Sequence, residues 1–325
     1  MNQTITAVKG LEAGHYTDLE HATGCTVFLC REGAVGGVDV RGGSPGTRET
    51  DLLRPVHRVD QVHAVVLSGG SAFGLDAASG VVAYLESKGI GFRVGPKEDP
   101  VAVPIVSSAI LYDLGLITSV VRPGPEDGRT ACLAASTEPM TEGTVGAGTG
   151  ATVAKLGGAE RGVKGGIGSA AITLATGQTV AAAVAVNAVG GVWDCTNGQI
   201  LAGPRRAEGG FDDPVAILLT GNSNVPDGPV NTTIGLVATD AQITKEDANY
   251  LARVSHDGLA LAIRPCHTVR DGDTMFAMAT GHNQDYADMT TLGAAAVEVT
   301  AQAVLRAIRQ ATGLGGIPSI SELAA

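Results

Sequence analysis

The sequence has few aromatic residues and few charges. Of its 325 residues, 3% are aromatic and 17% are charged, whereas 44% are hydrophobic. This composition excludes a disordered chain and is typical of a globular protein with a large core. No apolar run approaches the roughly 18 residues that a membrane-spanning helix needs. The net charge of -11 argues against nucleic acid and anionic membranes as partners.

Motifs for disulfides, metals and nucleotides are also missing. The five cysteines form no CxxC pair and leave an odd one over, so we interpret them as reduced thiols in a cytoplasmic protein. The first residues lack the basic and apolar regions of a signal peptide. The seven histidines show no HExxH spacing, and residues 69–74 fit neither the dinucleotide fingerprint nor the P-loop. We therefore expect no metal and no cofactor.

Glycine is abundant, with 46 residues, which indicates tight turns and close backbone packing. We find no internal repeat and treat residues 1–325 as a single structural domain. The predicted elements are a strand over residues 25–30 with a turn at 31–33, a surface loop over 41–48, a helix over 71–88, a hairpin of residues 169–174 and 179–187, a strand over 214–220, a helix over 244–263 capped by Thr244 and Asp247, and a long helix that starts at Asp288 or Thr290.

One stretch organises the rest of the chain. Residues 221–229 are polar and rich in turn-forming residues, so we expect an exposed loop there. From Ile234 to Ala238 the chain is apolar at odd and even positions alike, which is typical of a strand covered on both faces. The sequence therefore predicts that Thr232 enters an interior sheet directly from a loop.

Thr232 gains a special chemistry if the Asn231–Thr232 peptide bond is cut. It would then carry a hydroxyl nucleophile and a free α-amine on one residue. The reference pKa of such an amine, about 7.7–8, lets it act as a general base near neutral pH. Taken alone, however, Asn-Thr-Thr is also an ordinary way to begin a strand, and both interpretations stay open on these residues.

Several motifs, taken together and in order, resemble one family. They are GHYTD at residues 14–18, DVRGGSPGTRET at 39–50, LSGGSAFG at 67–74, VNAVG at 186–190 and RPCHTVRDGDTMF at 264–276. With the Asn-Thr-Thr-Ile strand they resemble the self-processing N-terminal-nucleophile family. That family holds the L-aminopeptidase/D-alanyl-esterase, the β-peptidyl aminopeptidases and the nylon-oligomer hydrolase. The resemblance runs nearly end to end.

The resemblance implies both a fold and a reaction. The fold would be α/β (α+β), arranged as a four-layer αββα sandwich. The precursor would cut itself between Asn231 and Thr232, which gives a larger subunit of residues 1–231 and a smaller one of residues 232–325. The mature enzyme would form an acyl-enzyme on Thr232 and hydrolyse amide bonds of small amino-acid, peptide or ω-amino-acid oligomer substrates. A homo-oligomer of processed units, a tetramer in the family, is also implied.

The resemblance also implies the site residues. Thr232 would be the nucleophile and, through its freed amine, the base. Lys155 would stabilise negative charge nearby and keep that amine neutral, and Asn187 would donate to the oxyanion. Asp271 and Asp273 would orient Thr232. A further candidate, for the substrate pocket or the oxyanion site, is Tyr112.

Each of these residues also has a simpler interpretation. Asp271-Gly272-Asp273 alone is typical of a hairpin turn, and a lysine among glycines is typical of a solvated turn. We interpret His256 and His267 either as structural residues or as residues that support the site from behind. The family's aminopeptidases carry a hydroxyl residue and a glutamate at the two aspartate positions, and a serine nucleophile after glycine. The two aspartates and the Asn-Thr junction of this chain look more like the nylon-oligomer hydrolase branch.

Two other functions remain open on the sequence. A self-cleaving acyltransferase, similar to the ornithine acetyltransferases, would transfer its acyl group to an amine in preference to water. An uncleaved, non-catalytic binding protein of the same fold would keep a single chain.

Overall fold

The computed structural model describes residues 2–221, 231–285 and 288–323. The expected loop over residues 221–229 therefore lies outside the described residues, apart from Gly221. The helices are α1 (Ala77–Ser87), α2 (Pro125–Leu133), α3 (Pro214–Leu219), α4 (Lys245–Ala262), α5 (Met289–Arg309) and α6 (Ile320–Leu323). The strands are β1 (Glu12–Asp18), β2 (Thr23–Val40), β3 (Thr47–Arg48), β4 (Gln61–Ser68), β5 (Phe92–Val94), β6 (Val101–Val103), β7 (Val106–Ile110), β8 (Thr152–Val153), β9 (Val163–Lys164), β10 (Gly166–Thr173), β11 (Thr179–Asn187), β12 (Gly191–Trp193), β13 (Ile200–Ala202), β14 (Thr232–Ala241), β15 (Ile263–Arg264) and β16 (Thr274–Asn283).

The main sheet runs in the order β10-β11-β14-β16-β2-β4-β7-β3, and β1 pairs with β2. Strand β2 joins two halves of this sheet: β10, β11, β14 and β16 on one side, and β4, β7 and β3 on the other. Residues 25–29 of β2 pair with β4, and residues 35–40 pair with β16. The register of β2 shifts between Leu29 and Ala34. The predicted turn at residues 31–33 is therefore wrong: these residues form an irregularity inside one long strand, where Gly33 takes a φ of 83°.

Buried apolar clusters fill the spaces between four layers. In the middle, Leu236 and Phe276 of one half-sheet share a cluster with Phe28 and Val65 of the other. Helices α4 and α5 pack their apolar residues on the outer face of β10, β11, β14 and β16. Helices α1 and α2 cover the outer face of β2 and β4. The layers therefore run α, β, β, α, which confirms the expected αββα sandwich.

The local predictions were right wherever a strong signal was recognised. Thr244 and Asp247 form the predicted capping box of α4, Asp288 caps α5, and the hairpin of β10 and β11 forms in register. The predicted strand over residues 214–220 is wrong, since this segment is helix α3. The side chain of Asp213 accepts hydrogen bonds from the first backbone amides of α3, and Pro214 is its first residue. Both are helix-start signals that outweigh a short apolar run.

Helix α5 is long and apolar enough, by length and composition, to cross a membrane. Most of it is instead buried within the sandwich, where Val299 and Val304 contact the core. It is thus the core helix of the outer layer.

The pairing of β14 explains how the site is assembled. Strand β14 runs antiparallel to β11, so that its first residue, Thr232, lies opposite Asn187, the last residue of β11. It runs parallel to β16, so that both strands begin at the same edge of the sheet. The residues directly before β16 are Asp271, Gly272 and Asp273, and they therefore lie beside Thr232.

Candidate active site

Thr232 lies at the buried start of β14, with only 3% of its surface exposed. Its hydroxyl donates a hydrogen bond to the carbonyl oxygen of Asn231, the residue directly before it. The nucleophile candidate is therefore already in contact with the carbonyl group of the peptide bond that is predicted to be cut.

A second donor contacts the same carbonyl. The backbone amide of Gly272 lies 3.2 Å from the carbonyl oxygen of Asn231, and Asn231 and Asp271 form an isolated parallel bridge. A Cβ on Gly272 would lie 2.9 Å from the Thr232 hydroxyl oxygen and 2.8 Å from the carbonyl oxygen of Ser44. Only glycine therefore fits between the Thr232 hydroxyl and the loop that contains Ser44. Sequence reasoning missed this role, although the glycine between two aspartates was the available signal.

Lys155 reaches the site from a short helical turn after β8. Its ammonium donates to the side-chain oxygen of Asn187 at 2.9 Å and to the carbonyl oxygen of Asn187 at 3.2 Å. Burial lowers the pKa of Lys155 to about 7, and the negative charge of Asp271 only partly opposes this shift. Lys155 can consequently hold or release a proton near neutral pH, so it is not the solvated turn lysine of the simpler interpretation.

The side chain of Asn187 is fixed by its neighbours. Its oxygen accepts from the backbone amide of Thr152 at 2.9 Å as well as from Lys155, and its nitrogen donates to the carbonyl oxygen of Tyr112 at 2.9 Å. Because a backbone amide can only donate, these contacts assign the oxygen and the nitrogen unambiguously. Among the described residues, the carbonyl oxygen of Tyr112 is the one acceptor of this nitrogen, so its second N–H can serve a substrate.

The two aspartates are enclosed, each with 1% of its surface exposed. Asp273 accepts from the backbone amide of Thr233 at 2.7 Å, and its other oxygen accepts from Nδ1 of His267 at 2.8 Å. Asp271 accepts from the amide and the hydroxyl of Thr268 at 3.0 and 2.5 Å. Burial raises the pKa of Asp271 to about 6, and the nearby charge of Asp273 adds to this rise. The structure thus brings both aspartates to Thr232, as elements of a site and not of a free hairpin turn.

The loop over residues 41–48 lies at the surface, as expected, but its backbone also holds the aspartate segment. The backbone amides of Arg41 and Gly42 donate to the carbonyl oxygen of Asp273 at 3.0 and 3.2 Å. The backbone amide of Ser44 donates to the carbonyl oxygen of Asp271 at 2.9 Å. A Cβ on Gly42 would lie 2.3 Å from the backbone of Asp271, so this close approach requires glycine. The motif in this loop therefore shapes the site without supplying a side chain to it.

A cavity of about 400 Å³ opens beside Lys155. Its lining includes Tyr112, Leu116, Thr152, Lys155, Glu160 and Ile317. Tyr112 thus contributes its side chain to the cavity and its carbonyl group to Asn187. Gly150, at the end of the Gly/Ala-rich stretch of residues 143–150, also lines this cavity. A second, more apolar cavity of about 290 Å³ lies beside Leu156 and Thr268.

Two other features of the sequence do not enter the site. Lys164 is fully buried, but its ammonium donates to the carbonyl oxygens of Gly148, Ala151 and Gly165 at 2.8–3.0 Å. In residues 2–221, 231–285 and 288–323, no group of three or more His, Cys, Asp or Glu side chains is placed to hold a metal ion. The site therefore offers a hydroxyl, a lysine, an amide donor and two carboxylates.

Solved structures with the same architecture place the fold in a class. A β-aminopeptidase from Burkholderia sp. superposes with a TM-score of 0.73 at 23% identity, over 100% of this chain and 93% of the other. The L-aminopeptidase D-Ala-esterase/amidase from Ochrobactrum anthropi superposes with a TM-score of 0.69 at 20% identity, over 98% and 88% of the two chains. The latter is described as a variant of the N-terminal-nucleophile hydrolase fold, and this chain has that fold.

The sequence then identifies the family. Residues 3–319 match Peptidase family S58, and the chain belongs to it. It is 40% identical to an uncharacterized aminopeptidase of Mycobacterium leprae, over 97% of this chain and 92% of the relative. It is 31% identical to a 6-aminohexanoate-oligomer endohydrolase of Agromyces sp., over 91% of this chain and 82% of the relative. The chain is accordingly a hydrolase of peptide or amide bonds, and the resemblance deduced from its motifs is confirmed.

Proposed function

We propose that the chain cuts itself between Asn231 and Thr232 and that Thr232 then serves as the N-terminal nucleophile of an amide hydrolase. One observation carries this proposal: the Thr232 hydroxyl and the Gly272 amide both contact the carbonyl oxygen of Asn231. A hydroxyl nucleophile next to a carbonyl group and an N–H donor on the carbonyl oxygen are two of the parts that acyl transfer needs.

In the first reaction, the hydroxyl oxygen of Thr232 attacks the carbonyl carbon of Asn231. The carbon–nitrogen bond breaks, the nitrogen takes up the hydroxyl proton and becomes the α-amine of Thr232, and an ester remains. Water hydrolyses the ester to the carboxylate of Asn231 and the free hydroxyl of Thr232. The Gly272 amide stabilises the negative charge on the carbonyl oxygen during the attack.

In the second reaction, the α-amine of Thr232 takes the proton of its own hydroxyl while that oxygen attacks the carbonyl carbon of the substrate amide. An N–H of Asn187 donates to the resulting oxyanion. The carbon–nitrogen bond of the substrate then breaks, the leaving amine takes the proton back from the α-ammonium, and water hydrolyses the acyl ester that remains on Thr232. The cation of Lys155 lies 2.9 Å from the Asn187 side chain, so its positive charge stabilises the same oxyanion and disfavours protonation of the α-amine. Asp273 keeps the Thr232–Thr233 peptide unit in place through the Thr233 amide.

The first test is the mass of the protein under denaturing conditions. We expect two chains, residues 1–231 and 232–325, that carry no disulfide between them. Edman sequencing of the smaller chain should begin at Thr232 and not at Thr233. A single chain of 325 residues that persists through long incubation would contradict self-cleavage.

The second test concerns the substrate. The cavity beside Lys155 carries the acidic side chain of Glu160 at its rim, and the two aspartates add negative charge behind the nucleophile. We therefore expect hydrolysis of amides of small amino acids or short ω-amino-acid oligomers that carry a free ammonium group, since charge-assisted hydrogen bonds are the stronger kind. Acetylation of that group should lower kcat/KM about tenfold or more.

The assay compares alanyl, β-alanyl and aminohexanoyl amides with their N-acetyl forms. Equal rates for the free and acetylated forms would reject recognition of the ammonium group and indicate an endo-acting hydrolase. Faster acyl transfer to an added amine than to water would instead favour the acyltransferase alternative.

A further inference from the structure

A chain of buried contacts leads from Asp273 through His267 and His256 to Asp39 on strand β2. His267 contacts one oxygen of Asp273 twice, through its backbone amide at 2.9 Å and through Nδ1 at 2.8 Å. The ring of His267 packs edge-on against the ring of His256, with 4.7 Å between the centroids. Nε2 of His256, on helix α4, lies 3.0 Å from the carbonyl oxygen of Asp39 on β2.

These neighbours assign the protons of both rings. A carbonyl oxygen only accepts, so Nε2 of His256 must donate to Asp39, and burial lowers the pKa of His256 to about 4. His256 is therefore neutral, with an unprotonated Nδ1. Nδ1 of His267 donates to the carboxylate of Asp273. Burial alone would lower the pKa of His267, but the hydrogen bond to the carboxylate of Asp273 outweighs burial and raises the pKa.

We propose that His267 is a positioning residue of this hydrolase: it clamps the Asp273 carboxylate beneath the amide of Thr233, and the fully buried ring of His256 holds His267 in place. The inference rests on the proposed function, since it assigns His267 a role in the reactions of Thr232.

The backbone of His267 supports a dedicated role. Its φ of 54° lies in the left-handed region, which a residue with a Cβ adopts at a cost and keeps only where its surroundings impose it. This conformation points both the amide and Nδ1 of His267 at the same oxygen of Asp273. The other oxygen of Asp273 accepts from Thr233, so any rotation of the carboxylate would break the bond to the strand that carries the nucleophile.

Charge gives a second reason. Asp271 and Asp273 are both buried, and a buried carboxylate needs a partner of opposite charge or several donors. The cation of His267 supplies that partner to Asp273, whereas Asp271 is held by the neutral Thr268. The titratable and charged groups that face His256 are Asp39, Arg41 and His267, and those that face His267 are Asp273 and the thiol of Cys266. Loss of His267 would leave Asp273 without its cation.

The test compares His267→Ala with His267→Asn, whose amide can replace the Nδ1 donor but carries no charge. In His267→Ala we expect slower self-cleavage and a kcat lower by roughly ten- to a hundredfold, the factor that loss of one charge-assisted hydrogen bond carries, with little change in KM. The acid side of the kcat–pH profile should move to higher pH, because the buried carboxylate has lost its cation. His267→Asn should recover most of kcat at pH 8 but keep the displaced acid side.

A matched control is His21→Ala, which removes another histidine bonded to an aspartate at 2.8 Å, far along the chain and at the surface. If His267→Ala and His267→Asn both keep the kcat, KM and pH profile of His21→Ala, His267 is not a positioning residue. Should His267→Ala fail to fold, the asparagine variant alone decides the outcome.

A measurement without turnover separates this inference from the proposed function. In the uncut Thr232→Ala chain, NMR of the imidazoles should show His267 still protonated above pH 8, and Asp273→Asn should remove that behaviour. Titration of His267 near its ordinary value of 6.5 would overturn the inference, whatever the activity of the wild-type protein. Failure of Thr232→Ala to stop cleavage would overturn the proposed function instead.

Discussion

The Thr232→Ala variant is expected to remain a folded, uncut chain without activity. In the proposed function one hydroxyl group serves both reactions, so its removal should stop self-cleavage and leave no nucleophile for the substrate. The loss of kcat should be on the order of 10⁵-fold or more, as for other enzymes whose nucleophile is deleted. The fold should persist, because the Thr232 hydroxyl bonds the adjacent carbonyl group and holds no distant element. Denaturing mass spectrometry and an amidase assay on the same sample give both results.

Two variants control this experiment. Thr232→Ser keeps a hydroxyl group and should still cut and turn over, more slowly. Thr233→Ala removes the neighbouring hydroxyl, which has no hydrogen-bond partner in the described part of the chain. It should process normally at the same bond. Cleavage between Asn231 and residue 232 in Thr232→Ala would refute the assignment of the nucleophile.

The Lys155→Met variant is expected to lose activity about a thousandfold or more. Methionine keeps the length of the side chain but removes the charge beside Asn187. In the proposed reactions this charge acts on the oxyanion and on the α-amine of Thr232. The pH profile gives a more specific expectation. Since the pKa of Lys155 is about 7, the wild-type rate should change through that pH, and the variant should lose this step. A wild-type and a variant profile of the same shape would remove Lys155 from the mechanism.

Stability should respond to the same titration. The folded pKa of Lys155 lies below its ordinary value of 10.5, so the unfolded chain binds more protons between pH 7 and 10.5. The free energy of unfolding contributed by Lys155 therefore rises with pH across this window, and the penalty for burying the cation is greatest below it. In Lys155→Met this contribution disappears, which denaturation at pH 6.5 and 9.5 can measure.

Lys164→Met is the matched control for Lys155→Met. Lys164 is equally buried, and burial lowers its pKa to about 7 as well. Its ammonium, however, donates to three backbone carbonyl groups, whereas that of Lys155 donates to Asn187. The variant should lose stability, because three buried acceptors are left without a donor, yet it should keep the pH profile of the activity. If Lys164→Met changed the pH profile and Lys155→Met did not, Lys164 and not Lys155 would be the lysine that acts in the reaction.

Local sequence signals predicted a large share of the fold. A few neighbouring residues are enough to predict each of three features: the capping box of Thr244 and Asp247, the Asp288 cap, and the strand after Thr232 that is apolar on both faces. The two elements that were predicted incorrectly lie where local signals conflict. At residues 214–220 an apolar run concealed a helix start, and at residues 31–33 a charged Arg-Glu-Gly segment concealed a strand that continues through an irregularity.

The sequence by itself determined that Thr232 opens a buried strand and that Asn187 closes another. The motifs determined the family, because their order along the chain is specific. Only the tertiary structure decided that Asn187 faces Thr232, that Gly272 donates to the Asn231 carbonyl oxygen, and that His267 clamps Asp273. These contacts join residues from distant parts of the chain, and they depend on which strands pair and in which register. The pairing and the register are set by the packing of the whole sandwich.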